Sequence, residues 1–457
     1  MLHRASLRRC AITFLMCIGP VVAVASTEDS SPLDLWQLYQ RAVASDPRIL
    51  GADAQIRAGT GQEREALGQL LPQLKGGAAS SRIKRSEGAR TLFYDGQTYN
   101  LSLTQVLYNP AAWRGFKKYS ELTRQYRSQA EDARIQSAVD LVQRYFAVLA
   151  AEDELALAKA ERQATQRSLD QVSALFERQL ATITDKLQLA ARVDSLETAE
   201  IEATNQIQIA REALAELLGQ EVYQPLKRID EGALFASLPG AEEEWVASAI
   251  AHNPMLQAKQ SALNSSELAI SEAKAAHLPT LSLAFGAQRS DFVYDNVLAA
   301  DKVDTLSASV NLQIPLYSGG SISARTQGLY GARDVAEQEY EALRRQVVKE
   351  TKTAYLQSDA NLRKIVSAHK ALESAVKSRE ITEKSFAYGT VTGVDILNAV
   401  RQEYLSRRDY LRAQYGFVTN QLVLLRWSGE FSAKDIQRIN GWLSPSLTAN
   451  AVGKGKR

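Results

Sequence analysis

The sequence predicts a mainly α-helical α+β membrane protein, internally duplicated, in which one chain supplies only part of a barrel wall. Three observations carry that prediction. The stretch from Phe116 to Leu218 contains neither glycine nor proline, whereas ordinary globular helices stop after roughly 8 to 20 residues, so the packing must be extended. Landmarks recur in order: Leu107-Tyr108 with Leu316-Tyr317 at an offset of 209, and Phe176, Asp185 and Gly219 with Phe386, Asp395 and Gly429 at 210. Each half also alternates large apolar with small polar residues, the pattern of strands with one greasy and one wet face.

The chain opens with Arg4, Arg8 and Arg9 ahead of an apolar run from Ala11 to Val24 that ends in Ala23-Val24-Ala25. Residues 1–25 therefore read as a secretory signal peptide, with an apolar part too short for a permanent span of roughly 20 residues. Both cysteines, Cys10 and Cys17, fall inside it, so the mature chain is expected to form no disulfide or thiolate metal site. Lysine and arginine number 54 against 52 acidic residues, a net charge of +2, which gives no electrostatic footprint for nucleic acid.

A helical segment from Leu33 to Leu70 follows, interrupted at Asp46-Pro47 and ending at Leu71-Pro72; Asn253-Pro254 and Leu278-Pro279 repeat these signals in the second half. Alternating segments run from Leu74 to Tyr108, clearest at Tyr99–Val106, and from Thr280 to Tyr317, at Leu281–Phe285 and Leu306–Ile314. Turn signals separate them, Ser86-Glu87-Gly88 with Asp95-Gly96 in one half and Asp295-Asn296 in the other. Phe93, Tyr94, Phe292 and Tyr294 are placed as a bilayer interface would place aromatics.

Four strands are too few to close a barrel, and an open sheet in lipid leaves edge groups unpaired at several kcal/mol each. Copies of the chain must therefore complete the wall: two would give eight strands, three would give twelve, and only a wider barrel leaves a water-filled lumen. The long helices make the same demand. Ile135, Val139, Val142, Phe146 and Leu149 form a narrow apolar seam among polar residues, the coiled-coil kind rather than the membrane-spanning kind. A helix of ~60 residues, about 90 Å long, is expected to turn near residues 177–184 and return to Gly219, and the second hairpin to turn near 387–394.

Enzymatic chemistry finds no footing. His252, His277 and His369 show no metal or triad spacing, and no phosphate loop, nucleophile elbow or paired-carboxylate site stands out, so no cofactor, metal or catalytic residue is expected.

Leu70-Leu-Pro-Gln-Leu74, Leu101-Ser-Leu-Thr-Gln105, His277-Leu-Pro-Thr-Leu281, Ile314-Pro-Leu-Tyr-Ser-Gly-Gly320 and Tyr388-Gly-Thr-Val-Thr-Gly-Val-Asp395-Ile-Leu-Asn-Ala399, in this order behind a signal peptide, resemble TolC-like outer-membrane efflux and secretion channels. The resemblance spans residues 33–430. It implies a homotrimer in which a twelve-stranded outer-membrane β-barrel is continuous with a twelve-helix periplasmic α-barrel. The implied organisation is a first repeat at 26–220, an equatorial linker at 221–246, a second repeat at 247–429 and a C-terminal equatorial segment and tail at 430–457. The implied role is a passive exit duct for small molecules or a type I secreted polypeptide. Its partners would be outer-membrane lipid, a periplasmic adaptor and an inner-membrane transporter of RND or ABC type. The competing reading is a soluble periplasmic coiled-coil adaptor or scaffold.

The resemblance also places the site. Asp395 stands where the first acidic residue of the family's constriction ring would be, and Asn398 where the second would be, so the ring is expected to carry about half the charge. Phe176, Gln179, Asp185, Lys186, Phe386, Gly389, Val391 and Gly393 fall on the tip turns where partners would dock. Phe386 and Val391 occupy the places of a tyrosine and an arginine that lock the closed tip in relatives, leaving Asp185 to find another cation, with Lys186 and Arg178 as candidates. Gln179 opposite Gly389 predicts turns of different shape. Asp185 and Asp395 also stand where helix-capping acids belong.

Overall fold

The computed structural model describes residues 32–88, 90–230, 233–294, 301–388 and 390–444; the signal-peptide stretch, Gly389 and Asp295-Asn296 lie outside them. Each half of the chain runs helix, helix, strand, strand, long helix, shorter helix. The first half is α1 (Leu35–Ser45), α2 (Pro47–Gly68), β1 (Gln73–Glu87), β2 (Arg90–Tyr108), α3 (Pro110–Glu177) and α4 (Ile183–Leu218). After the short β3 (Arg228–Ile229), the second half repeats the order as α5 (Glu242–His252), α6 (Pro254–Ala275), β4 (Thr280–Tyr294), β5 (Asp301–Gln313), α7 (Ser321–Ala387) and α8 (Gly393–Ser428), followed by α9 (Ala433–Asn440) and β6 (Leu443–Ser444). The duplication read from punctuation is thus a duplication of structure.

Local chemistry sets the boundaries. Asp46 and Asn253 each end one helix in extended backbone and cap the next with a side-chain oxygen, directly before a proline that opens the new helix. Gly219 and Gly429 terminate α4 and α8 in the left-handed conformation at φ 68° and 74°. Gly429 cannot be replaced for a second reason, since a Cβ there would lie 2.5 Å from the backbone of His252.

The hairpins have unequal arms. α3 and α7 hold 68 and 67 residues, about 100 Å each at 1.5 Å per residue, while α4 and α8 hold 36 each. The shorter helices accompany the long ones over the tip half only; α2 and α6 pack beside α3, and α6 beside α7, over the other half. In the tip half α3 packs against α4 and α8, and α8 against α7, which leaves α4 and α7 as outer edges. Both edges carry exposed apolar side chains, Ile183, Leu187, Ile201 and Ile209 on α4 and Leu356, Val366 and Ile381 on α7.

The four long strands form one antiparallel sheet in the order β1-β2-β4-β5, with the two halves joined at β2-β4 and with β1 and β5 as edges. Cross-strand partners share a face, and over the levels from Leu74 to Gly77 the register separates the two faces. Leu74, Leu103, Phe285 and Ala308 share one level, Leu101, Ala287 and Leu306 the next, all on the greasy face. The opposite face carries Ser102 beside Gly286 and Ser307, and Asn100 beside Gln288 and Thr305. Above the apolar levels the greasy face ends in cross-strand ion pairs, Arg289–Asp304 at 2.6 Å and Lys302–Asp291 at 3.5 Å. Asp95-Gly96 is not a turn: it lies inside β2, where Asp95 is opposite Arg82, because the hairpin closes instead at Gly88, whose φ of 56° only glycine adopts freely. β5 ends at Gln313, before Pro315, so Leu316 and Tyr317 lie outside the strand.

The main apolar core sits at the waist. Leu35 and Leu38 of α1 and Tyr145, Phe146 and Leu149 of α3 pack there with Leu214 and Leu218 of α4, Phe417 and Leu422 of α8 and Ile436 of α9. A polar network ties the waist to the long helices. The Tyr145 hydroxyl donates to the Lys227 carbonyl at 2.6 Å, and Arg228 pairs with Asp153 and Glu152. Tyr415 on α8 donates to the same Asp153 carboxylate. Burial first, and then the Asp153 charge, pushes the Tyr415 phenol far above its usual range, so it stays a donor at any physiological pH.

Candidate functional site

The candidate site residues gather at the two tip turns, and the turns are built alike. α3 closes with the Leu180 amide donating to the Leu175 carbonyl at 2.9 Å, and α7 with the Thr390 amide donating to the Ser385 carbonyl at 3.1 Å. Both bonds span five residues and they stand 210 residues apart. The closing bond is thus common to both turns, and the difference in shape expected from Gln179 opposite Gly389 falls on Gly389, which lies outside the described residues. Gln179 adopts the left-handed backbone at φ 63°, a conformation that glycine takes without strain and other residues take at about 1 kcal/mol or more.

Each return helix starts on a capping threonine. Thr182 accepts from the Asp185 amide at 3.1 Å, and Thr392 from the Asp395 amide at 3.3 Å. At the second tip the cap is reciprocal: the Asp395 carboxylate accepts from the Thr392 amide at 2.8 Å and from its hydroxyl at 2.7 Å. Those two donors, the amide first, hold the Asp395 carboxyl below its ordinary value of 3.8. Asp395 and Asn398 both remain exposed, one helical turn apart. Capping engages one carboxylate oxygen and leaves the side chain charged at the surface of the tip.

The other tip residues are divided between packing and exposure. Gly393 is buried where α8 meets the first hairpin, its missing Cβ facing the Val172 side chain at 3.0 Å, Asp185 at 3.5 Å and Leu189 at 3.7 Å. The two tips are thus in direct contact within one chain. Phe176 and Phe386 are half-buried, and Lys186 lies over the Phe176 ring at 5.4 Å. Neither cation suggested for Asp185 reaches it: among the described residues Asp185 forms no ion pair, Lys186 being held by the ring and Arg178 lying exposed at the end of α3. Val391 is half-buried and cannot supply a charge.

Sequence reading missed the groups that set the hairpin registers above the tips. Glu161 of α3 is buried and paired with Arg192 of α4; Glu403 of α8 is buried and paired with Arg379 of α7 and with Arg407. Acidic residues are common along these helices, so nothing in the sequence marks these two as buried. Leu180, Ile183, Leu187 and Tyr388 are exposed at the extremity, an apolar surface that the chain itself does not cover.

Comparison with known proteins agrees with this architecture. A family model described as outer membrane efflux protein matches residues 38–220 and 245–430. The chain is 30% identical over 413 residues to the outer membrane protein TolC of Vibrio cholerae, covering 90% of this chain and 94% of that one. To the alkaline protease secretion protein AprF of Pseudomonas aeruginosa it is 26% identical over 431 residues, covering 90% and 88%. The crystal structure of the Campylobacter jejuni CmeC outer membrane channel shares the fold, with a TM-score of 0.77 at 16% identity, covering 97% of this chain and 98% of that one. Two-thirds or more of the chain is matched in each case, and the chain belongs to the outer membrane efflux protein family.

Proposed function

We propose that three copies of this chain enclose a continuous duct, a twelve-stranded barrel in the outer membrane joined to a twelve-helix tunnel in the periplasm, and that the duct is the passive exit of an envelope-spanning exporter. One observation carries this reading: the sheet has a greasy face, a wet face and two unpaired edges. Such a sheet is satisfied in lipid only when β5 of one copy pairs with β1 of the next until the wall closes. The exposed apolar edges of α4 and α7 call for the same neighbours along the tunnel. A soluble adaptor or scaffold would share the hairpins but has no use for the sheet.

Substrates would enter at the tips from an inner-membrane transporter, of RND or ABC type, joined through a periplasmic adaptor. The apolar residues at the extremity suit that contact. Small molecules and type I secreted polypeptides would use the same path. The duct is passive, so the work would belong to the transporter. Within the duct, three Asp395 carboxylates would ring the constriction, with Asn398 contributing neutral donors and acceptors one turn away. A charge ring of this kind draws cations and binds multivalent ones.

The test is reconstitution in planar bilayers with trimer cross-linking. The purified protein should run as an intact trimer and give cation-preferring conductance that multivalent cations block from the tip side. A stable lone subunit without conductance would end this reading.

A further inference from the structure

The wet face of the sheet is uncharged over its periplasmic half except at one position. At the four residue levels from Gln73 to Ala79, the sixteen positions on that face are Gln73, Lys75, Gly77 and Ala79 with their partners on β2, β4 and β5, and all of them but Lys75 are neutral. Lys75 shares its level with Ser102, Gly286 and Ser307. It is exposed, and among the described residues it forms no ion pair. The greasy face behaves differently, since Arg289, Lys302 and Arg82 each stand against a cross-strand carboxylate.

We infer that Lys75, repeated three times around the closed barrel, forms an anion-binding ring at the base of the barrel lumen, suited to multivalent anions and to acidic small molecules. The inference rests on the duct proposed above, because the ring exists only when three chains close the wall. Strands about 4.8 Å apart and tilted about 40° place a twelve-stranded wall roughly 12 Å from its axis. A lysine stem extends about 6 Å inward, which brings the three ammonium groups to roughly 6 Å from the axis and roughly 10 Å from one another. No carboxylate lies at these levels to neutralise them. In water at 0.1 M salt, Coulomb attraction damped over a Debye length of about 10 Å concentrates a monovalent anion roughly sevenfold on the axis. A divalent anion gains roughly fiftyfold on the same reckoning, and at 1 M salt the monovalent gain falls below about twofold.

The ring also gives the duct opposite charges along its length, acidic carboxylates at the tip and ammonium groups where the barrel begins. An anionic substrate arriving from the tunnel meets a favourable site at the barrel base. A cation leaving the constriction meets a barrier there. Lys75 is thus a selectivity element independent of Asp395.

The experiment uses the full trimer in planar bilayers at 0.1 M salt, with inorganic triphosphate added on the barrel side. The wild-type protein should be blocked reversibly, with block weakening at least tenfold at 1 M salt. Lys75→Gln should weaken block at least tenfold and move the reversal potential toward cations, while Lys75→Arg retains both properties. Ser102→Glu, which sets a carboxylate beside an intact Lys75, should lose block in the same way and guards against misfolding of the first variant. Conductance without triphosphate block, or block unchanged in Lys75→Gln, would overturn the inference and leave the duct standing. A wild-type trimer that never conducts would remove the duct and the ring together.

Discussion

At the residue scale, the second tip turn gives one side chain a capping role and, in the duct proposed above, an electrostatic one. The Asp395 carboxylate is bound by the amide and hydroxyl of Thr392, and this pulls its pKa down. The sign follows directly: a group whose folded value is depressed stays ionised as pH falls through the ordinary 3.8, and both its capping stability and its charge vanish only below that. Cation preference in bilayer recordings should therefore persist at pH 4.5 (about the ordinary carboxylate range) and collapse in more acidic solution. Asp395→Asn should abolish multivalent-cation block at all pH values while keeping a cap; block that survives would leave Asp395 as a cap alone. Gly393 gives a second residue-level prediction. A Cβ there meets Val172 at 3.0 Å, so Gly393→Val should push the two tips apart at a cost of about 1–3 kcal/mol. The measured consequence would be a higher resting conductance, and an unchanged one would mean that contact between the tips does not hold the pore closed.

At the scale of elements, each hairpin is fixed in register by one buried carboxylate reaching an arginine on the opposite arm, Glu161 to Arg192 and Glu403 to Arg379. A coiled-coil seam made mostly of alanine and leucine tolerates sliding, whereas a buried ion pair is satisfied in one register only. Removing one partner strands the other charge, a loss of roughly 3 kcal/mol or more for a buried pair. Arg192→Met and Arg379→Met should each speed amide exchange in the last turns of their own hairpin and leave the other hairpin unaffected. Exchange spreading equally through both would show that the hairpins are one cooperative unit. The waist is the counterpart of these locks. Arg228, Asp153 and Tyr415 join β3, α3 and α8, so the helix whose first turn carries Asp395 is anchored at its far end to the apolar core.

For the whole molecule, the decisive property is that the chain leaves its edges open. The greasy face of the sheet has Val310 65% exposed, and neighbouring Ser309 faces the other way. Val310→Arg should place a charge against lipid near the base of the barrel, at up to about 1 kcal/mol per copy close to the interface, and reduce the yield of heat-resistant trimer in outer-membrane extracts. Ser309→Arg should leave assembly intact and alter conductance. Equal behaviour of the two variants would contradict the assignment of faces, and with it the closed barrel.

The sequence by itself determined the duplication, the element order and the two-faced strands, because these depend on punctuation and period: Pro47 and Pro254 after capping residues, Gly219 and Gly429 at helix ends, apolar side chains at every second position from Leu281 to Ala287 of β4 and from Leu306 to Leu312 of β5. It also placed Asp395 on the first turn after the second tip, since capping chemistry is local. Only the tertiary structure decided what depends on partners distant in sequence. It moved Asp95-Gly96 from a turn into a strand opposite Arg82, laid α2 and α6 along the length that the shorter return arms leave open, and buried Glu161 and Glu403 among many acids of identical appearance. It also put Lys186 on an aromatic ring rather than on Asp185, and left Lys75 as the one unbalanced charge on its part of the wet face. Register and burial are properties of the packed chain: a residue's neighbours three or four positions away fix its helix, but the charge it meets across a helix or a strand is set by chain a hundred residues or more distant.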